Sequence, residues 1–573
     1  MARLNDEVGA LLREYADLIL MTGGDAFRAR SYEKAARSVG GHPEDLAHLD
    51  GAGIRKIPGV GDSTAAKITE YLATKHIAAL DKLRAKVPPG VREITAIPTV
   101  GPKTAVQLYR KLGITSLDEL RAAIDAGTVK GLPGLGARAV ENIRRGIEQV
   151  SRAGERTLLS TALDLAEELV AVIGEAPGCS RCAYAGSLRR MRETVGDIDI
   201  LATARDSGPL MAALLTRPEV ADVIGSGPTK TSVRTTQGLQ VDLRVVPPAD
   251  WGAALIYFTG SQAHNIKLRG RAVKAGMKLS EYGLFDAESG KKLASRTEKE
   301  VYAALGLPVI PPPLREDRGE IEAALANGLP DLLRLKDLRG DLHTHTDLTD
   351  GLASLEAMLE AAAGLGYEYY AVTDHAPNLS MQRMTDDKML AQRERARALD
   401  RAHGGIRVLH GTELNIDAAG DVDWPAEFLA GFDLCVASIH SSFQLDRAAQ
   451  TRRLIRACEN PHVHIIGHPT TRLLDRRPPI DADLDAVFAA AGRTGTALEI
   501  NASPHRLDLN DEQIMAARRH GVRFAVNSDA HSVPQLANQR FGVATAQRGW
   551  LGPDDVINTW SLTRLRRFLR KEN

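Results

Sequence analysis

The sequence predicts a multidomain α/β protein with a helical amino-terminal part, a mixed α/β middle and an α/β barrel at the carboxyl end. Three observations predict this fold class. The chain has 573 residues, which is too long for one compact core. A loop that opens a helix recurs three times in the first 150 residues. Beyond about residue 335, apolar strand-like runs alternate with helical patterns.

The composition excludes disordered, collagenous and coiled-coil classes, because 43% of the residues are hydrophobic and 25% are charged. No apolar run reaches the ~18 residues of a membrane span, so we expect a cytoplasmic protein with no membrane partner. Four cysteines are too few for a disulfide scaffold, and Cys179 and Cys182 are interpreted as plain thiols. Residues 1–150 hold 22 Lys and Arg against 18 Asp and Glu, which is weak support for a polyanionic partner.

The amino-terminal repeat is an apolar-Pro-x-x-Gly loop, and its copies begin at Ile57, Ile97 and Leu132. Such loops turn the free amides of a helix N-terminus outward, where a phosphate can bind. The spacing resembles the helix-hairpin-helix motif, which implies contact with the DNA backbone, although a glycine-capped turn is the alternative for any one copy. Thr99 replaces the first glycine of the second copy. The glycines predicted to contact DNA are Gly59, Gly61, Gly101, Gly134 and Gly136.

Three carboxylates in the middle of the chain are predicted catalytic residues and metal ligands. Asp197 and Asp199 lie at positions i and i+2 of a predicted strand, so both side chains point to one face, and Asp242 lies on a second alternating strand. Oxygen ligands of this kind suit Mg²⁺ or Mn²⁺, and two such ions would support phosphoryl transfer. The alternative for an Asp-x-Asp pair alone is a solvated strand end, but Gly186 and Ser187 lie just upstream.

Together with the segment Tyr257-Phe-Thr-Gly-Ser261, these residues resemble the nucleotidyltransferase palm and thumb of the family X DNA polymerases, which are related to DNA polymerase beta. The resemblance covers roughly residues 1–315 and implies binding of dNTPs and of gapped or primer-template DNA. Gln240 departs from it, because the beta-type enzymes carry a basic residue near the primer terminus. The implied nucleotide-binding residues are Ser187, Arg190 and Gly196 for the triphosphate, Tyr257 and Phe258 at the sugar 2′ position, Asn265 and Arg269 on the minor-groove side, and Gly260.

Lys67 occupies the position at which the beta-type enzymes keep a Schiff-base lysine that removes 5′-deoxyribose phosphate. An amine nucleophile must be partly neutral, which requires burial or cationic neighbours. The alternative is a helix lysine that contacts phosphate. Arg28 stands where the relatives carry a supporting lysine, and this departure weakens the lyase hypothesis.

Histidines are concentrated in the last part of the chain, where 12 of the 16 lie after residue 330. Nine imidazoles and carboxylates follow predicted strands, and an α/β barrel brings the carboxyl ends of its strands together in one mouth. We therefore expect them to bind metal. The predicted ligands are His343, His345, Asp350, His375, Glu413, His440, His468, Asp529 and His531.

These motifs resemble the polymerase and histidinol phosphatase (PHP) domain, a distorted (βα)7 barrel whose members hydrolyse phosphoesters with up to three metal ions. The mixed ligand set suits Mn²⁺, Zn²⁺ or Fe²⁺, and Mn²⁺ is favoured by the resemblance alone. Both halves together resemble the bacterial and archaeal family X polymerases with a PHP domain. The implied function is filling of short gaps in DNA repair by a monomer with 3′-5′ exonuclease activity, and with abasic-site endonuclease and 3′-phosphatase as further activities.

Two other functional classes remain open at this point. A DNA-binding scaffold with a vestigial polymerase would lack carboxylates that this chain keeps, and a small-molecule phosphatase would not need a helix-hairpin-helix array.

The predicted domains are a helical DNA-binding domain (1–90), a second helix-hairpin-helix domain (91–153), a palm (154–250), a thumb (251–315), a linker (316–335) and a PHP barrel (336–573).

Overall fold

The computed structural model describes residues 4–40, 46–57, 59–97, 100–129, 132, 135–136, 140, 143–144, 147, 156–379, 384–474 and 477–571. The chain divides into two compact units, residues 1–156 and 157–573. Among the described residues, no helix is both long and apolar enough to cross a bilayer.

The first unit is helical and is built around one apolar core. Two of the predicted loops lead into helices as expected, because Gly61 and Gly101 are the extended N-cap residues of helices Asp62–Thr74 and Pro102–Leu112. Gly59 has a φ of +84°, a conformation that favours glycine. Gly136 is described, but Gly134 lies outside the described residues. The other α-helices among the described residues of this unit are Leu4–Met21, Ala26–Gly40, Gly51–Arg55, Ala78–Arg84, Pro89–Glu93 and Leu117–Asp125.

The second unit begins with a five-stranded sheet in the order β2-β4-β7-β6-β5. Strands β1 and β3 pair with each other as a separate two-stranded antiparallel ribbon. Helices Leu159–Glu175, Gly186–Arg189 and Gly208–Leu215 belong to this part, and the first of them packs its apolar face into the core of the sheet. The strands are β1 Thr157–Leu158, β2 Arg181–Tyr184, β3 Thr194–Val195, β4 Asp197–Thr203, β5 Val220–Ser226, β6 Lys230–Thr235 and β7 Gln240–Val246.

The next segment contains helices Trp251–Thr259, Gln262–Lys274, Glu298–Ala304 and Glu320–Leu325. The sequence predicts a helix-rich segment with one short irregular region, but the structure has a three-stranded antiparallel sheet there, with strands β8 Met277–Ser280, β9 Gly283–Asp286 and β10 Lys292–Ala294. Four of the six residues 308–313 are prolines, a composition that predicts a stiff linker. In the structure this stretch is instead part of the core, because Ile310 and the adjoining Leu314 are buried with Leu268 and Tyr302.

The carboxyl-terminal part is a parallel sheet of seven strands in sequential order, β11 to β17. A bridge between Thr344 and Ala530 joins the ends of the first and last strands, so the sheet is a nearly closed barrel. This architecture confirms the predicted multidomain α/β fold class. The strands are β11 Gly340–Asp341, β12 Tyr369–Val372, β13 Arg407–Asn415, β14 Leu434–Ser438, β15 Ile465–Ile466, β16 Ala497–Asn501 and β17 Phe524–Asn527.

Helices surround the barrel, and two of its segments pack against the five-stranded sheet. Leu507 and Phe541 lie in the same buried apolar cluster as residues of that sheet and its first helix. The barrel and the sheet therefore share part of their core. The barrel helices are Leu355–Gly364, Asp386–Ala402, Ala426–Leu429, Arg447–Glu459, Leu484–Thr494, Asp511–Arg518, Gln539–Arg548 and Leu562–Leu569.

Candidate active sites

Three carboxylates meet on two adjacent parallel strands of the five-stranded sheet. Asp197 and Asp199 lie two residues apart on β4, and Asp199 is paired in register with Asp242 on β7. Both residues of β4 are partly buried, whereas the residue between them is fully buried on the other face. The predicted cluster is thus assembled by strand register.

The electrostatics of this cluster indicate a site for cations. Burial, together with the charges of Asp197 and Asp242, raises the pKa of Asp199 to about 7. Burial also opposes ionisation of Asp242, but hydrogen bonds from Lys230, Ser232 and Gln240 hold its pKa below the ordinary value. The Lys230 ammonium lies 2.7 Å from Asp242. Because the carboxylates repel one another, a divalent cation fits between them.

The turn before β4 has room only for glycine at its first position. Gly186 has a φ of +62°, and a Cβ there would lie 2.3 Å from Oδ2 of Asp199. Ser187 follows on the short helix Gly186–Arg189. The guanidinium of Arg190 donates to Glu316 Oε1 at 3.0 Å and to the carbonyl of Thr259 at 2.5 Å. Ser187 and Arg190 therefore lie in the turn beside Asp199.

The predicted nucleotide-binding segment forms the end of one helix and the start of the next. Tyr257 and Phe258 end helix Trp251–Thr259, with their rings edge to face at 5.1 Å. Asn265 donates to the carbonyl of Tyr257 at 2.8 Å, and Arg269 donates to the carbonyl of Asn265 at 3.3 Å. The first bond joins the two helices, and the second lies within helix Gln262–Lys274.

Two further residues connect this segment to the carboxylate strands. A Cβ at Gly260 would lie 3.1 Å from Nη1 of Arg190, so the arginine runs directly beneath this glycine. The guanidinium of Arg244, on β7, lies 4.6 Å from the ring centroid of Phe258. Gly196 immediately precedes β4 and is exposed. Gln240 donates to Asp242 at 3.1 Å, so in this chain it contacts a cluster carboxylate.

The nine predicted metal ligands of the barrel lie together at the carboxyl ends of its strands. Glu413, on β13, is at the centre and is fully buried. Its Oε1 lies 3.1 Å from His468 Nε2 and 3.2 Å from His440 Nε2. Its Oε2 lies 2.9 Å from His375 Nδ1 and 3.5 Å from His343 Nε2. One carboxylate therefore contacts imidazoles that follow four different strands.

The other ligands complete two neighbouring groups. His345 Nε2 lies 3.2 Å from Asp529 Oδ1. Asp350 Oδ2 lies 3.2 Å from His375 Nε2 and 3.4 Å from His531 Nε2. Three overlapping sets in this cluster have ligand atoms within 4.8 Å of one another, which is a suitable spacing for metal ions. The sets are His345 with Asp350, His375 and His531; His343 with His345 and Asp529; and His375 with Glu413 and His440.

The charges of the barrel cluster also favour cations. Burial alone would raise the pKa of Glu413 and Asp529, but the surrounding imidazoles hold both pKa values well below the ordinary range. Burial likewise opposes protonation of His375, yet Glu413 and Asp350 raise its pKa to about 10. The carboxylates are therefore ionised and attract positive charge. Since protons and metal ions compete for the same nitrogen lone pairs, a bound cation would replace the proton.

Buried ring nitrogens without hydrogen-bond partners provide a separate test of whether the barrel cluster could hold metal ions. His343 Nε2, both ring nitrogens of His345 and His468 Nδ1 are buried without a hydrogen-bond partner of normal geometry among the described residues. Unpaired buried nitrogens are costly, and metal coordination would satisfy those that point into the cluster. Second contacts fix the ring orientation, because His343 Nδ1 donates to Glu499 at 2.7 Å and His440 Nδ1 lies 2.7 Å from Asn415 Oδ1. The residues present fit divalent metal ions.

In the first unit, Lys67 lies on helix Asp62–Thr74 next to two aromatic rings. Its Nζ is 5.3 Å from the ring centroid of Tyr15 and 5.4 Å from that of Tyr32. It donates to the hydroxyl of Ser63 at 3.0 Å, and Arg28 donates to the hydroxyl of Tyr15 at 3.3 Å. The predicted lyase lysine is thus half-buried, and both it and Arg28 contact Tyr15.

Comparison with known proteins identifies the family of the whole chain. The chain is 34% identical over 566 residues to the DNA polymerase/3′-5′ exonuclease PolX of Bacillus subtilis, and the match covers 98% of this chain and 99% of the relative. The chain belongs to the family X DNA polymerases that carry a PHP domain. Family models match its parts: a helix-hairpin-helix domain (3–77), a SAM-like helix-hairpin-helix tandem (91–149), a DNA polymerase beta thumb (254–316) and a PHP domain (341–503).

Two partial relatives correspond to the separate halves of this family X chain. DNA polymerase lambda of Rattus norvegicus is 30% identical over 324 residues, covering 51% of this chain and 53% of the relative. A probable phosphatase of Shewanella sediminis is 30% identical over 228 residues, covering 38% of this chain and 88% of the relative. The PolX relative, in contrast, matches nearly the whole of this chain.

Sequence reasoning missed several residues that support these sites. Glu499, fully buried on β16, binds His343, and Asn415 binds His440. Lys230 on β6 pairs with Asp242. A carboxylate within the otherwise apolar run Ala497–Ile500 was a visible signal for Glu499. Lys230 gave no such signal, because its role depends on the pairing of β6 with β7.

Proposed function

We propose that this chain is a gap-filling DNA polymerase with a second active site that removes nucleotides from 3′ ends. The observation that carries the proposal is the presence of two separate ligand clusters in one compact unit: three carboxylates on a palm sheet and nine ligands in a barrel mouth. The chemistry of both reactions is phosphoryl transfer, so one DNA end can be a substrate for each.

At the palm, Asp197, Asp199 and Asp242 would hold two Mg²⁺ or Mn²⁺ ions. When bound, such ions lower the pKa of a primer 3′-hydroxyl and neutralise the triphosphate and the leaving pyrophosphate. Ser187 and Arg190, in the turn beside Asp199, bind the triphosphate of the incoming dNTP. Gly196 immediately precedes β4, the strand that carries Asp197 and Asp199.

The thumb side selects the nucleotide. Tyr257 is 37% exposed at the helix end and, with Phe258, crowds the 2′ position of the sugar. Asn265 and Arg269 line the minor-groove side of the nascent pair. The helix-hairpin-helix loops bind the DNA backbone through their helix N-termini, and this contact is independent of base sequence.

The polymerase assignment is tested with a one-nucleotide gap and all four dNTPs in Mg²⁺. Asp242→Asn should reduce extension by at least about 100-fold, because it removes a charge that the ions need. Asp222→Asn, on the exposed edge strand β5, is the matched control and should extend normally. Extension by Asp242→Asn at the wild-type rate would contradict the palm assignment.

In the barrel, the nine ligands would hold up to three Mn²⁺ or Zn²⁺ ions. When bound, these ions activate water and stabilise the phosphorane-like transition state and the leaving alkoxide. Glu499 and Asn415 hold the rings of His343 and His440 in the ligating orientation. The same site would act on 3′-phosphates and on abasic sites, since each presents a phosphoester in DNA.

The exonuclease assignment is tested on a 3′-recessed duplex without dNTPs. His343→Ala should abolish shortening in Mn²⁺, and metal analysis of the purified protein should show fewer bound ions. His505→Ala, at an exposed histidine of the same domain, is the control. Unchanged shortening and metal content in His343→Ala would contradict the assignment.

A 5′-deoxyribose phosphate lyase is a second candidate, favoured by the position of Lys67 next to two tyrosine rings, one of which also contacts Arg28. The amine would attack C1′ of the abasic sugar and form an imine with loss of water. Borohydride should trap a covalent adduct with wild type and none with Lys67→Ala. Equal trapping by both would exclude Lys67. We propose further that the protein acts as a monomer in the cytoplasm, where its four free cysteines stay reduced.

A further inference from the structure

One arginine of the barrel reaches into the polymerase half of the same compact unit. Arg548 ends helix Gln539–Arg548, and its side chain is only 4% exposed. Its Nη1 donates to the backbone carbonyl of Arg190 at 2.8 Å and to Glu316 Oε1 at 2.9 Å. Its Nη2 donates to Asp511, which is also a barrel residue. A barrel side chain is thus bonded to the turn that carries the predicted triphosphate ligand.

Arg190 and Arg548 share one carboxylate oxygen. Glu316 Oε1 accepts from Arg190 Nε at 3.0 Å as well as from Arg548. Arg190 also donates from Nη1 to the carbonyl of Thr259, so its guanidinium is held on two sides. Its side chain is 13% exposed, and that of Glu316 is 10% exposed. Few conformations are open to Arg190 while these contacts persist.

The charges around Glu316 show what Arg548 contributes. Arg190 and Arg192 lie on the palm side, with Arg192 Nη1 3.8 Å from Glu316 Oε2. With Arg548 present, Glu316 is shared among three cations. Without it, the carboxylate would be neutralised mainly by Arg190, the residue that must carry positive charge toward the triphosphate.

We propose that Arg548 is a positioning residue for nucleotide incorporation: it holds Glu316 and the Arg190 carbonyl so that the Arg190 guanidinium keeps its orientation for the triphosphate and its charge is not offset mainly by Glu316. This inference rests on the proposed role of Arg190 in nucleotide binding. It gives the barrel a second role, in which the PHP domain tunes the polymerase site through a direct contact.

The first test is steady-state gap filling by full-length Arg548→Met. The KM for dNTP should rise about tenfold, because a charge-assisted contact is lost, while kcat changes less than about twofold. Exonuclease activity should stay at the wild-type level, since the described hydrogen bonds of Arg548 involve no predicted metal ligand. Arg540→Met is the matched control, because Arg540 ion-pairs with Asp164 across the same interface without contacting Arg190. An unchanged KM in Arg548→Met would overturn the proposal.

Arg548→Lys keeps the charge but has a single nitrogen in place of the planar fork that reaches Glu316 from Nη1 and Asp511 from Nη2, so we expect partial recovery of the dNTP KM. Glu316→Gln removes the charge that competes for Arg190. In that background, Arg548→Met should raise the KM by less than about threefold, because the two substitutions act on one interaction. An equal increase in both backgrounds would overturn the charge mechanism even if Arg548→Met alone folds poorly.

Arg190→Met separates this inference from the function on which it rests. If Arg190→Met leaves the dNTP KM unchanged, the assignment of Arg190 to the triphosphate is wrong. If Arg190→Met raises the KM and Arg548→Met does not, the assignment of Arg190 stands and the positioning role of Arg548 is wrong.

Discussion

Glu499→Gln should slow the exonuclease reaction, although Glu499 is not itself a predicted metal ligand. Glu499 is fully buried and accepts four hydrogen bonds. Its Oε1 accepts from His343 Nδ1 at 2.7 Å and Asn527 Nδ2 at 2.9 Å, and its Oε2 accepts from the His468 amide at 2.6 Å and Asn501 Nδ2 at 3.1 Å. The substitution replaces one oxygen with an NH₂ group, so either orientation of the amide turns two of these bonds into donor-donor contacts.

The expected cost follows from that count. A hydrogen bond to a charged group contributes about 1.5–3 kcal/mol, and loss of an outer partner of a ligating histidine typically costs about 10–100-fold in metal affinity or activity. We therefore expect Glu499→Gln to shorten a 3′-recessed duplex about 10–100-fold more slowly at limiting Mn²⁺. Saturating Mn²⁺ should restore part of the rate, because the defect is in the orientation of a ligand.

The assay follows single-turnover shortening of an end-labelled duplex across a Mn²⁺ titration, with gap filling measured in parallel. Glu427→Gln, on the exposed side of the short helix Ala426–Leu429, is the matched control and should behave as wild type. A Glu499→Gln protein with normal thermal unfolding and a rate within twofold of wild type at limiting Mn²⁺ would refute the reasoning.

Three other predictions concern the palm and thumb. Gly186→Ala should lower extension at least about tenfold and leave shortening intact, because a Cβ would lie 2.3 Å from Asp199 Oδ2 and strain a left-handed backbone; normal extension would contradict this geometry. The apparent affinity of the palm for Mg²⁺ should fall about tenfold per pH unit below pH 7. Burial raises the pKa of Asp199 to about 7, so below that pH a proton competes with the metal ion for this carboxylate. A Mg²⁺ affinity that does not change between pH 6 and pH 8 would contradict this prediction. Glu298→Gln should destabilise the protein by about 3 kcal/mol, because it breaks buried pairs with Arg189 and Arg315. Despite burial, the two arginines hold the pKa of Glu298 at about 2, so calorimetry should find that the difference in Tm persists above pH 4.5 and shrinks as the pH falls toward 2.

The carboxylate and histidine clusters could be predicted because their geometry is locally encoded. A spacing of two residues along a strand is enough to place Asp197 and Asp199 on one face, and the carboxyl ends of parallel strands converge wherever a barrel forms. His343 and His375 are far apart in the chain, yet each directly follows a strand of the same sheet. The fold class therefore brings all nine predicted ligands together once the strands are recognised.

Features that depend on long-range packing could not be predicted in this way. The strands of the sheet β8–β10 have only three or four residues, which is too short for a periodic pattern to identify them, and antiparallel pairing stabilises them. Ile310 and Leu314 look like part of a linker because prolines surround them, but their apolar side chains are buried with Leu268. The bond between Arg548 and the turn of Arg190 joins residues 358 positions apart, and no local pattern reports it.

The central claim is that one chain carries two independent active sites for the same DNA end. A single gapped duplex with a labelled primer 3′ end, incubated with Mn²⁺ and dNTPs, reports both reactions on one gel. Wild type should give longer and shorter products, Asp197→Ala only shorter ones, and His343→Ala only longer ones. If either substitution abolishes both lengthening and shortening in a folded protein, the two activities share one site and the account is wrong.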